Sequence, residues 1–188
     1  MHQALVAIFG QDRPGIVHQV SRVLANLGCH ILSVNQTTLL GQFAGLFATK
    51  VPEKVTHEII SESLEENLKG SALSHWVARQ SDLVETNEVQ SEPYVLTILG
   101  PDHPEVIPEV TKTVASFEAN IENLRSVQIE NVANCPDGRS PIALVLEIAV
   151  PIKVQQSAFR QALALTAEEL SIEISLQHRD IFEAIHRV

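Results

Sequence analysis

The spacing of hydrophobic positions changes repeatedly along the first half of the chain, and each change marks an element. Ala4 to Phe9 is a short apolar run rich in β-formers. Ile16, Val17, Val20, Val23, Leu24 and Leu27 then recur at helical spacing and stop at Gly28. His30 to Leu40 and Phe43 to Val51 read as two strands broken at Gly41. Pro52 opens a second helix with Val55, Ile59, Ile60 and Leu64 on one face, and Leu73 to Asp82 closes the set with a strand. The predicted order is β-α-β-β-α-β.

The same order returns in the second half. Ile8 to Val17 reappears as Ile98 to Ile107, an offset of 90 residues, and the register carries Val20 onto Val110, Leu24 onto Val114 and Ile31 onto Ile121. Phe43 to Pro52 matches Ile142 to Pro151 only at an offset of 99, so the second copy carries an insertion in the Pro/Asp/Gly-rich stretch Asn131 to Ser140, which reads as a loop. The second copy then predicts strand Tyr94 to Leu99, helix Pro104 to Phe117, strands Ile121 to Glu130 and Ile142 to Val150, helix Lys153 to Glu169 and strand Ile172 to Asp180. Two ferredoxin-like units of the α+β class follow, each a four-stranded antiparallel sheet with both helices on one face. Their expected limits are residues 1–83 and 92–182, with a polar, acidic linker at 84–91 and a tail at 183–188.

Composition narrows the function classes. Among 188 residues, 45% are hydrophobic but only 4% are aromatic, so Val, Leu, Ile and Ala must fill the core and base stacking is poorly supplied. A formal charge of -10, with 13 scattered Lys and Arg, repels phosphate backbones, so no direct nucleic-acid binding is expected. Leu5 to Phe9 is too short for a leader or a membrane span, and Cys29 and Cys135 lack C-x-x-C spacing; a cytoplasmic protein without membrane contact is expected. Cys29 reads as a small buried residue and Cys135 as an exposed loop residue. The eight histidines show no metal-ligand spacing, no nucleophile-base pair or phosphate loop can be assembled, and neither metal, cofactor nor catalytic residue is assigned.

Candidate chemistry gathers at the first strand-to-helix turn, Gly10-Gln11-Asp12-Arg13-Pro14-Gly15-Ile16-Val17. The glycines permit close approach, Pro14 suits a helix start, and the first helical N–H groups lack internal partners. A carboxylate can accept from those groups, aided by the helix dipole, while Asp12 pairs with an ammonium; a zwitterion suits that pair of charges. Asn35, expected on an edge strand, is a further contact to the same ligand from its own or a neighbouring unit. The same residues also read as structure alone, with Asp12 a helix cap, the glycines turn formers and Asn35 one of the polar positions of an edge strand. The second turn offers Asp102 and His103, but Glu105 stands where the first has Gly15, which predicts weaker binding there.

The Gly10 to Val17 motif resembles the first turn of ACT domains, and the whole chain is similar to tandem ACT proteins of the glycine cleavage system transcriptional repressor type. Ile174 to Phe182 is also similar to the tandem ACT region that precedes the catalytic domain of some bacterial phosphoserine phosphatases; no phosphatase activity is expected here. The resemblance implies a regulator that senses a small amino acid, with glycine or serine favoured; a homodimer is expected, with the sheets associating edge to edge within the chain or across the dimer, because their uncovered edges need partners. It also implies control of transcription through a protein partner such as a DNA-binding activator. The alternative is a module that has lost its ligand and keeps only protein interaction or dimerisation.

Overall fold

A computed structural model of the protein describes residues 1–79, 89–128 and 141–186. The chain divides into two compact units, Met1–Thr86 and Asn87–Val188. The linker expected at 84–91 lies outside the described residues up to 88, as do the inserted loop 131–140 and Cys135.

In the first unit, β1 (His2–Gln11), α1 (Ile16–Asn26), β2 (His30–Leu39), β3 (Gln42–Val51), α2 (His57–Leu68) and β4 (Leu73–Arg79) follow the predicted order. The sheet runs β2-β3-β1-β4 with every neighbouring pair antiparallel. Alternation decides which face is covered: Ala4, Val6 and Ile8 of β1 and Phe43, Phe47 and Val51 of β3 turn towards the helices. The α1 stripe Ile16, Val20, Val23 and Leu24 and the α2 stripe Ile60, Leu64 and Leu68 bury against them. Position 45 falls on the covered face by the same alternation and is a glycine there, where a Cβ would lie 2.8 Å from the Phe43 ring.

The second unit repeats the plan with β5 (Ser91–Pro101), α3 (Val106–Ser116), β6 (Asn120–Gln128), β7 (Pro141–Pro151), α4 (Gln156–Leu170) and β8 (Glu173–His178). Its sheet runs β6-β7-β5-β8, and its core is built on Leu96, Ile98, Leu144, Leu146, Ile148 and Phe159. Both units are ferredoxin-like, and the fold class is α+β.

Three boundaries differ from the sequence reading. Pro52 does not open a helix: it forms a single turn closed by the Val55 N–H to its carbonyl, 3.0 Å, and α2 begins at His57, where Thr56 Oγ1 accepts from the Ile59 N–H. The capping side chain, rather than the proline, fixes the start. Pro151 repeats this, with the Val154 N–H on its carbonyl and α4 starting only at Gln156. The last strand stops at His178, and Arg179–His186 forms a further amphipathic helix, α5, in the stretch read partly as strand and partly as tail.

Candidate functional site

The turn between β1 and α1 is held open by its backbone. Gly10 ends the covered part of β1 at φ +149, with its missing Cβ only 2.0 Å from the Ala72 carbonyl oxygen, so no other residue lets β1 and β4 meet there. The Gln11 N–H donates to Ala72 O at 3.2 Å and the Asp12 N–H to Gly41 O at 2.8 Å, which fixes the chain against β4 on one side and the β2–β3 hairpin on the other. Gly15 then takes φ +91 as the residue preceding α1. A Cβ there would meet nothing within 4 Å, so this glycine is required by its left-handed backbone and not by crowding.

Helix α1 starts without a side-chain cap and without an acidic residue in its first turn. Its first intrahelical bond runs from the Gln19 N–H to Gly15 O at 2.9 Å, which leaves the N–H groups of the first turn pointing outward. They open on a cavity of about 260 Å³ lined by Asp12, Arg13, Gly15, Ile16, Val17, His18, Gln36, Thr38 and Phe43. Thr38 Oγ1 donates to Asp12 Oδ2 at 3.3 Å, so the one carboxylate of the cavity is held from β2. The Arg13 guanidinium donates instead to Gln19 Oε1 at 2.6 Å, and Gln19 Nε2 donates to Asn67 O at 2.5 Å, tying the turn to the end of α2.

Of the residues singled out by sequence, Asp12, Arg13, Gly15, Ile16 and Val17 come together at this cavity. Gln11 and Pro14 build the turn beside it. Asn35 is not brought in: it pairs with Leu46, on the sheet face turned away from the helices, whereas Gln36 and Thr38 reach the cavity. The signal lay in the hairpin. Leu39 pairs with Gln42 and Thr38 with Phe43, so counting back from Gly41 puts even-numbered residues of β2 on the helix side.

The second turn is built differently. Glu105 precedes α3 in a right-handed conformation, φ -82 and ψ -10, and its N–H donates to His103 Nδ1 at 3.2 Å. A side chain of the turn thus occupies a donor at the helix start. Asp102 is exposed, and α3 already carries Glu109 in its first turn.

A larger cavity, about 720 Å³, lies at the C-terminal end of α2 against β4, with Glu62, Glu65, Glu66, Lys69 and His75 in its wall. Three carboxylates and the negative end of a helix make it unsuited to an anionic group. Cys29 is buried at 7% exposure, and burial pushes its thiol above the ordinary value of 9.0, which leaves it a poor nucleophile. Among the described residues no group of three or more His, Cys, Asp or Glu is placed to hold a metal ion, and no helix is long and apolar enough to cross a membrane.

Comparison with known proteins bears on the unit that carries the cavity. The ACT-domain profile matches residues 2–73. The chain is 30% identical over 97 residues to the UPF0237 protein of Methanococcus maripaludis, covering 52% of this chain and 99% of that relative. The chain belongs to the ACT-domain family. A UPF0237 protein of Lactococcus lactis is 31% identical over 94 residues, again half of this ACT protein and 97% of the relative. Over the full tandem, a protein of unknown role from Galdieria sulphuraria superposes with a TM-score of 0.80 at 25% identity, covering 94% of this chain and 98% of that one. A candidate glycine cleavage system transcriptional repressor shares the fold, with a TM-score of 0.63 at 14% identity over 94% of this chain and 96% of that one. The tandem ACT architecture therefore extends beyond the matched first domain.

Proposed function

We propose that the protein is a non-catalytic cytoplasmic regulator whose first ACT domain binds a small amino acid in the cavity at the β1–α1 turn. The observation that carries this reading is one arrangement: an uncapped helix start at Gly15 to Val17, with a carboxylate at Asp12 held beside it by Thr38. The ligand carboxylate accepts from the free N–H groups of α1, where the helix dipole favours negative charge. Its ammonium donates to Asp12. A cavity of about 260 Å³ lies below the range of drug-sized sites, which favours glycine or serine, the ligands implied by resemblance.

The second domain contributes little ligand affinity in this reading, because His103 occupies the Glu105 N–H and Glu105 adds negative charge at the helix start. Signalling to transcription passes through a protein partner, such as a DNA-binding activator, since a chain of net charge -10 is repelled by DNA. A thermal-shift screen against the twenty amino acids tests the proposal: a ligand that binds only the folded state raises the midpoint. A rise with glycine or serine, larger than with bulky amino acids, is the expected result. No shift with any amino acid would instead favour a module that keeps only protein contacts.

A further inference from the structure

The face of the first sheet turned away from its helices is apolar over β1, β3 and β4 and exposed towards the Phe9 end, while β2 contributes Ser33, Asn35 and Thr37 to it and Ala78, beyond Trp76 on β4, is 4% exposed. Phe9 and Trp76 are each 52% exposed and Leu46 is 47% exposed, three large side chains on adjacent strands of one face. Leu5 lies on the same face beyond Ala7, and Lys50 is the charged residue at its far end.

The internal repeat shows that the fold does not require this character. In the second unit the same register places Thr97 where the first has Ala7, Glu147 where it has Ala48, and Ser175 where it has Trp76. That polar face is in addition covered, since α5 packs against β5 and β8 and Val95 beneath it is 3% exposed. Arg179 at the start of α5 donates to Glu122 at 2.6 Å and reaches Glu147 at 4.0 Å. One sheet thus builds a polar, strapped face, and its repeat builds a charge-poor one that is apolar over β1, β3 and β4. An exposed apolar patch in such a context marks an interaction surface.

The steric pattern indicates what fits it. Phe9 pairs with Ala44, Ala7 with Leu46 and Leu5 with Ala48, so each row across β1 and β3 sets one large side chain beside one small one. A two-fold axis parallel to the strands, running between β1 and β3, brings β1 of one copy over β3 of the other. Phe9 then faces Ala44, Leu46 faces Ala7 and Leu5 faces Ala48 in every row, so knobs meet gaps on both copies. Aligned sheets packed about 10 Å apart accept this geometry. In the same frame Trp76 faces Asn35, which gives its indole N–H an amide oxygen.

Charge and area agree. The acids of the first unit, such as Glu58, Glu62 and Glu65, lie on α2, behind the sheet, so face-to-face approach keeps two acidic copies' carboxylates apart. Three strands of ten residues and one of seven, about 4.8 Å apart and rising about 3.3 Å per residue, present roughly 600 Å² per copy in projection. That stands at the lower edge of what stable complexes bury, about 600 to 1,000 Å² a side.

We propose that the open face of the first ACT sheet is a homodimer interface, packed face to face on a second copy of the chain through Phe9, Leu46 and Trp76. This departs from the edge-to-edge pairing expected from sequence and is independent of whether the turn cavity binds an amino acid.

Trp76 is the sole tryptophan, so it reports on the interface directly. Sedimentation equilibrium of the full chain should give a concentration-dependent mass approaching twice 20.6 kDa, with tryptophan emission moving to shorter wavelength over the same range. Ala48→Glu installs the residue type the second unit tolerates at that position, so folding, read by circular dichroism, is retained. It should weaken dimerisation at least tenfold and keep the emission at long wavelength. Leu32→Glu, at the outer edge on β2, should leave the dimer intact. A monomer at every concentration, a dimer indifferent to Ala48→Glu, or a dimer lost only with Leu32→Glu would each overturn the proposal.

Discussion

Thr38 donates a hydrogen bond to the Asp12 carboxylate across 3.3 Å, joining the end of β2 to a turn 26 residues earlier. The contact orients Asp12 without neutralising it, which is what an ammonium-binding carboxylate requires. Thr38→Val keeps the shape and removes the donor. Because the pair is exposed, the stability change should stay near about 0.5 kcal/mol in urea unfolding, while calorimetric affinity for the bound amino acid falls about tenfold.

Gly10 and Gly15 both hold positive φ, yet for different reasons, and the two alanine variants should separate them. Gly15→Ala meets no atom within 4 Å and should cost only the left-handed penalty, about 1–2 kcal/mol. Gly10→Ala places a Cβ 2.0 Å from Ala72 O and must break β1 from β4, so it should cost more than Gly15→Ala in the same denaturant series.

The element order, the repeat and the core faces were legible because period-2 and helical spacing record burial directly. Val6, Ile8, Val20 and Leu24 each sit at 1% exposure or less. Helix starts were less legible: Pro52 looks like a first-turn residue, but the capping hydroxyl of Thr56 sets the boundary four residues later. For the site, the turn could be read because glycine and proline carry backbone meaning by themselves. The strand across from it could not be read from β2 alone, which is exposed at every position and shows no alternation in burial. Asn35 lies on the opposite face of β2 from Gln36 and Thr38, a parity that only the β2–β3 pairing resolves. Nor could local pattern show α5 lying on a sheet, because that packing is tertiary.

Phe47 is fully buried between the sheet and both helices, with Gly45 beside it on the same face. Phe47→Ala should destabilise the first domain by about 3–5 kcal/mol. Calorimetric unfolding should then show the first domain melting earlier while the second domain's transition stays in place.

Stability should fall on the alkaline side. Burial raises Cys29 above its ordinary value of 9.0 and, as the largest cause, raises Tyr94 above 10.0, with the hydrogen bond to Glu92 adding to it. A group whose folded value is raised contributes fully below its unfolded value and loses that contribution as pH rises through the folded one. Unfolding free energy should therefore be flat through neutrality and decline above about pH 9. Cys29→Ala should remove the earlier part of that decline.

The central claim is that an amino acid binds at the first turn through the helix start and Asp12. Titration calorimetry with glycine and with serine, on the wild type, Asp12→Ala and Asp102→Ala, tests it most directly. Binding is expected in the wild type, with a loss of at least about 1.4 kcal/mol or tenfold in Asp12→Ala and little change in Asp102→Ala. Loss in Asp102→Ala with full retention in Asp12→Ala, or unchanged binding in both, would contradict it.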